Sequence, residues 1–513
     1  MRGPLKPCLI SVAVVGVLIA ALPWDTPRDG REAPAGGNEA ATDASASTAP
    51  RLLMYCAAGI KNPVEKLAKA YEKEYGTTVR LEYGGSGTLL SRLRVAKLGD
   101  LYLAADASFI EIARARDLVA EVVPIAIMRP VIAVRKGNPH RIASLDDLLH
   151  EDVETSLANP DVASIGKQTR ILLTRLGKWD AIEAAATARG VFKPTVNEVA
   201  NDVKLGAVAA GIVWDATVNQ YPELEAVEIE GAADFTKQVT VGVLRSAQDP
   251  RAALHFARYL GARDKGAPVF ERMGFKPIRG DAWADRPEIV YYSGAVNRTA
   301  IQETIRDFER REGVRVTTVY NGCGILVGQM KLGQRPDVYH SCDRSFMRGI
   351  EELFDEATPI TATPMVILVA RGNPHGIARL EDLTQPGLKI GLANEQQSAL
   401  GKLTADLLQE LGIYDQVQRN VVANAPTADL LVNQIRTGSL DAVVVYEANT
   451  SVARERLELI PINHARATAT QTFAIGKSSP HKQTAARLLT VIQSAPSRQR
   501  FRQAGFNWKT TPK

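Results

Sequence analysis

Residues 82–89 read EYGGSGTL and residues 319–326 read VYNGCGIL. Each stretch ends an apolar run, turns on glycine and enters the first apolar residues of a helix. The first backbone amides of such a helix have no acceptor within it. Glycine lets another group approach them closely, and the helix dipole adds partial positive charge. The hydroxyl of Ser86 supplies one further donor. This chemistry suits a small, fully ionised oxyanion and needs no lysine or arginine. A plain capping turn has the same composition, so one turn alone does not decide. The stretches NPDVASIGKQT (159–169) and NEQQSALGKLT (394–404) also lead a strand into a helix through a polar turn. Two helix N-termini could therefore converge on one ligand.

The second turn carries Cys323 where the first carries Ser86, and YHSCD (339–343) matches YLAAD (102–106), which puts Cys342 in place of Ala105. His340 stands two residues before Cys342, on the same face if the strand continues. Three readings stay open for the pair. A disulfide needs Cα atoms within ~7 Å, against ~9–10 Å if another strand lies between the two that carry the cysteines. A soft ion such as Cu(I) or Zn(II) bridging two thiolates tolerates the wider gap, with His340 or Tyr292 nearby. Two unrelated thiols are the third reading. Cys56 reads as apolar filler of a buried strand.

Other chemistries are excluded by position. Gly166-Lys167 resembles the end of a phosphate-binding loop, but the glycine required five residues earlier is Asp161. Ser86 is no nucleophile elbow, because the glycine required at 88 is Thr88. No H-E-x-x-H occurs. Asp106 and Asp343 recur in equivalent places and read as helix caps. No acid–base set for an enzyme emerges, so the chain reads as a non-enzymatic binder without a cofactor.

The elements that position these turns come twice. RKGNPHRIASLDDL (135–148) returns as ARGNPHGIARLEDL (370–383), a shift of 372 − 137 = 235 between their glycines. GAVAAGIVW (206–214) returns as GSLDAVVVY (438–446). So long a period excludes a solenoid and means two homologous domains. They are expected at 51–285 and 286–513. Each begins with an apolar strand, RLLMYCAA or EIVYYSGA. A helix follows with Val64, Leu67, Ala68, Tyr71 and Tyr75, or Ile301, Ile305 and Phe308, on one face. Strand–helix–strand order predicts parallel sheets with ligands beyond the strand carboxyl ends.

Composition agrees with an ordinary globular chain. Among 513 residues, 45% are hydrophobic and 23% charged, and the net charge is +5. The excess is mild and has no basic arm, which gives no warrant for nucleic acid. Four cysteines and seven histidines are too few for a disulfide scaffold or zinc array. Arg2 and Lys6 precede the uncharged stretch 7–24, which reads as a signal peptide (1–24) or a retained membrane anchor. Residues 25–50 read as a disordered linker.

In this order, MYCAAGIKNPVEKLAKAYEKEYG, YGGSGTLLSRL, GDLYLAADASFI, VIAVRKGNP, GIVWDA and ERMGF resemble the periplasmic molybdate-binding proteins of ABC importers, of the type II solute-binding class. The resemblance covers nearly all of both copies. It implies two tandem periplasmic-binding-protein-like α/β domains, each of two lobes around a hinge and cleft, following an apolar N-terminal helix. It further implies a ligand of molybdate or tungstate type, held noncovalently by uncharged donors. Carried over by position, the first cleft would use Gly59 (where the family has serine), Ser86, the amides of Ile165 and Val196, and Trp214 in place of a tyrosine. The second would use Ala295, Cys323, Leu400, Ala428 and Tyr446. The implied partner is a membrane permease, and the implied location is periplasmic, free or anchored to the inner membrane. An alternative is a membrane-tethered tandem sensor whose second domain binds a different ligand, a metal at Cys323, Cys342 and His340 or a thiol-reactive solute.

Overall fold

Strand Arg51–Ala57 is buried along almost its whole length, as its apolar run requires. Helix Lys61–Tyr75 packs behind it through Val64, Leu67, Ala68 and Tyr71, and ends on Gly76 with a left-handed φ of 67°. Strand Glu288–Gly294 and helix Arg298–Glu312 repeat this unit, with Ile301, Ile305 and Phe308 buried and Gly313 as the stop. The computed structural model describes residues 51–450 and 455–509. The signal or anchor segment and the linker expected at 1–50 lie outside the described residues. No helix among the described residues is long and apolar enough to cross a membrane.

The first copy has two sheets. One runs in the order 276–277, 119–128, 237–244, 101–104, 51–57, 78–84; the other in the order 191–193, 155–158, 210–214, 130–135, 224–227. Strands 78–84, 51–57 and 101–104 are parallel, as the strand–helix–strand order demands. Strand Lys237–Leu244 is antiparallel to its neighbours. The sheets are therefore mixed rather than wholly parallel, because the chain crosses to the second lobe and returns. Between strands Val119–Met128 and Pro130–Arg135 stands Arg129, whose amide donates to Asp215. In the second copy one strand, Thr358–Ala370, runs through both lobes and joins their sheets.

The first lobes of the two copies are locked together. Glu312 of the second copy is buried against Arg258 of the first and Arg487 of the second, the latter a two-point pair of 2.7 and 3.0 Å. Asp281 accepts the amides of Gln483 and Thr484 at 2.7 and 2.9 Å. A buried triad of this kind fixes geometry more than it adds stability, since desolvation offsets most of the attraction.

Candidate functional site

Three strands of each copy's first lobe end at one edge, and the glycine turn follows the outer one. Gly85 precedes helix Ser86–Ala96, and a Cβ there would stand 2.4 Å from the Val162 carbonyl oxygen and 2.8 Å from that of Pro194. Gly322 before helix Cys323–Lys331 is in the same position, 2.2 Å from Gln397 O and 2.7 Å from Pro426 O. Both glycines stand where the second lobe touches the first. The amide of Gly87 donates across the cleft to Val162 at 2.9 Å, and that of Gly324 to Gln397 at 3.0 Å. The turn is written twice because each cleft closes on it.

In the first copy the closure leaves a small cavity, bordered by the carboxyl ends of strands from both lobes. Gly59, Ser86, Ile165, Val196 and Trp214 all line it. Ile165 is second in helix Ser164–Arg175 and Val196 opens helix Val196–Leu205, so their amides have no acceptor within the helix. No charged side chain lines the cavity. Ser86 Oγ accepts the amide of Ala105 at 3.2 Å, which leaves its own proton free to donate. Asp106 and Asp343 are helix caps, accepting from Ser108 and Ser345 at 3.0 and 2.9 Å.

Several lining residues lie outside the sequence expectation, Ser164 and Thr195 with hydroxyls among them. Ser164 is buried, and its hydroxyl has no partner. The only signal in the sequence was its place at the start of the helix after a polar turn. Gly59 proves tighter than expected: a Cβ there would stand 2.7 Å from Cγ1 of Val196.

The second cleft follows the same plan with different side chains. The first strands of the copies are offset by 288 − 51 = 237 residues, and both pair with their neighbours from the first residue. Cys323 and Cys342 thus match Ser86 and Ala105 as expected, but Ala295 matches Ala58, and the residue that matches Gly59 is Val296. The expected pairing of Gly59 with Ala295 is corrected by one residue. Leu400 and Ala428 hold the same helix positions as Ile165 and Val196. Ala399 takes the place of Ser164. Tyr446 ends its strand as Trp214 does, buried and with an unpartnered hydroxyl.

The amide of Cys342 donates to Cys323 Sγ at 2.9 Å, the counterpart of the Ala105–Ser86 bond. Both thiols are free and buried. His340 does not join them. Its Nδ1 bonds the hydroxyl of Tyr291 at 2.8 Å, and its ring lies among Tyr291, Phe473 and Phe501. The strand ends at His340, so the expected shared face is lost before Cys342. No group of three His, Cys, Asp or Glu able to hold a metal occurs among the described residues, which corrects the Cys323–Cys342–His340 expectation. Burial pushes the Cys323 thiol up, but the side chain and amide of Cys342, with the Tyr339 hydroxyl close by, outweigh it and leave it below its ordinary value. The hydrogen bond to Cys323, and then burial, hold Cys342 well above. Cys56 is wholly buried in the first domain's core, as expected.

The family model for bacterial extracellular solute-binding protein matches residues 52–276 and again 289–507. A Haemophilus influenzae protein described as a binding protein is 27% identical over 235 residues, 44% of this chain and 91% of its own. The molybdate-binding protein ModA of Mycobacterium tuberculosis is 25% identical over 223 residues, 42% of this chain and 84% of its own. Among solved structures, the periplasmic molybdate-binding protein of Azotobacter vinelandii is 18% identical with a TM-score of 0.38, covering 44% of this chain and 98% of that one.

Proposed function

The chain belongs to the bacterial extracellular solute-binding proteins, with two domains of that family in tandem, and on that premise we propose that its first cleft binds a tetrahedral dianion of molybdate or tungstate type and delivers it to a membrane permease. The domains are assigned to 51–285 and 286–513, and the working location is outside the cytoplasm. The observation that carries the reading is the first cavity itself: residues of both lobes border it, helix amides and hydroxyls line it, and no charged side chain does. Fixed neutral donors suit an anion that carries no proton. A protonated phosphate brings a hydroxyl with no carboxylate to receive it, and sulfate is smaller. The ligand donors assigned are Ser86, the amides of Ile165 and Val196, Trp214 and, in addition, Ser164. Gly59 gives space rather than a hydroxyl. In the second cleft, Cys323 and Ala399 replace two hydroxyls and a thiol donates poorly, so that cleft is assigned weaker oxyanion affinity by at least ~10-fold, or ~1.4 kcal/mol.

Calorimetric titration of the full chain with molybdate, tungstate, sulfate and phosphate tests this. One tight site is expected for molybdate and for tungstate, with weak salt dependence. Tight phosphate binding in competition with molybdate would overturn it.

A further inference from the structure

The second cleft differs from the first at three matched places that act together. Ser86 becomes Cys323, Ala105 becomes Cys342, and Ala57 becomes Gly294. The strands that lead to the two cysteines flank strand Glu288–Gly294 on either side. Their side chains nevertheless meet. The position a Cβ on Gly294 would take is 2.2 Å from Cys342 Sγ and 3.2 Å from Cys323 Sγ. Glycine there is what admits both sulfurs, and the alanine of the first copy would displace them. Two phenols complete the surroundings. Tyr446 is buried with its hydroxyl unpartnered, close enough to Cys342 and Cys323 for their charge to bear on it. The hydroxyl of Tyr339 is buried beside Cys323 without an aligned hydrogen bond. Donors gathered on a sulfur favour its thiolate, the form that binds soft elements.

Resting on the reading of each domain as a solute cleft, we propose that the second cleft takes a thiophilic trivalent metalloid hydroxide, arsenite being the representative, held by both Cys323 and Cys342. The element needs two sulfurs and keeps one hydroxide of its own, so the absence of His340 from the group does not matter. Neutral As(OH)₃ reacts with two thiols. Two S–H and two As–O bonds break, two As–S bonds form, and the displaced hydroxides leave with the thiol protons as two waters. The oxidation state of arsenic is unchanged and no oxidant or reductant takes part. The remaining hydroxide oxygen accepts from the Tyr446 hydroxyl.

The test is titration of the reduced full chain with sodium arsenite, followed by calorimetry and by counting reactive thiols after unfolding. One equivalent should bind and protect two thiols. Cys323→Ser and Cys342→Ala restore the residues that the first copy carries, so folding is not at stake. Each should weaken binding at least ~100-fold, because the second As–S bond is an intramolecular one that gains from effective concentration. The tight molybdate site of the first cleft should be unchanged in both variants, since that cleft keeps all its residues. A chain that binds molybdate but not arsenite sinks this proposal alone; loss of molybdate binding in the parent chain sinks the oxyanion reading instead. Single-cysteine variants that bind arsenite as tightly as the parent would also overturn the proposal. So would a Cys323–Cys342 disulfide in chain recovered from cells without reductant.

Discussion

Gly59 in the first lobe and Val196 in the second fit each other as gap and filler: a Cβ on Gly59 would lie 2.7 Å from the Val196 Cγ1. The second copy reverses the sizes, with Val296 at the matched position of the first lobe and Ala428 facing from the second, both buried. Each cleft thus keeps one branched apolar side chain at this point and changes which lobe supplies it. Gly59→Ser should therefore overpack the closed cleft, because valine is stiff at χ1, and cost about 1–3 kcal/mol in denaturant unfolding. Gly59→Ser with Val196→Ala should regain that loss and add a hydroxyl to the cavity. If Gly59→Ser alone tightened molybdate binding with no loss of stability, the two residues would not be coupled as described.

Ser86 has two tasks that substitution can separate. Its oxygen accepts the Ala105 amide at 3.2 Å, and its proton is assigned to the ligand. Ser86→Ala removes both and should weaken molybdate binding by about 1.5–3 kcal/mol, the scale of a hydrogen bond to a charged group. Ser86→Cys keeps the acceptor, as Cys323 does for Cys342 at 2.9 Å, but donates weakly. It should preserve stability and still lose affinity. Calorimetry showing wild-type affinity in both variants would remove Ser86 from the site.

The repeat made most of this architecture legible. Matching motifs located both glycine turns, both caps at Asp106 and Asp343, and the helix faces of Lys61–Tyr75 and Arg298–Glu312. What failed was finer. The resemblance puts Ala295 opposite Gly59 at the family's serine position, but motif matching cannot fix a one-residue register there; the strand pairing does. The antiparallel return strand Lys237–Leu244 was missed because strand–helix order describes only the outgoing chain. Ser164 was passed over since a hydroxyl at the start of a helix is common, and its lack of a partner is visible only in three dimensions. The convergence of Cys323 and Cys342 depends on Gly294, whose lack of a side chain has meaning only once the neighbouring strands are placed.

His340 and Tyr291 form a buried polar pair at 2.8 Å where the matched positions of the first copy hold Leu103 and Met54. Burial pushes the His340 imidazole down to about 3. The unfolded chain takes up this proton near 6.5, so between those values the unfolded state binds more protons than the folded one. Stability is then fully present above about pH 6.5 and is lost as pH falls toward 3. Replacing the pair as His340→Leu with Tyr291→Met should flatten this decline. Unfolding midpoints at pH 7, 5.5 and 4 provide the check. An equally steep fall in the double variant would place the acid sensitivity elsewhere.

The lobes of the first copy are also joined outside the cavity. Lys167 Nζ donates to Ser108 Oγ at 2.8 Å, and Gln168 donates to Asp106, from the second lobe to the first. The second copy has no such latch at these positions: Lys402 turns to Asp406 on its own helix, and Leu403 stands in place of Gln168. Bonds made only in the closed state bias the hinge toward closure and raise apparent affinity without touching the ligand. Gln168 does not line the cavity, so Gln168→Leu leaves the proposed donors in place while loosening closure. Loss of one hydrogen bond to a carboxylate, about 1.5–3 kcal/mol, should raise the molybdate dissociation constant at least ~10-fold. Most of the change should appear as faster release, because the latch forms after the ligand has entered. Stopped-flow displacement of molybdate by excess tungstate would measure it, and an unchanged release rate would mean that the lobes close on the ligand without help from this contact.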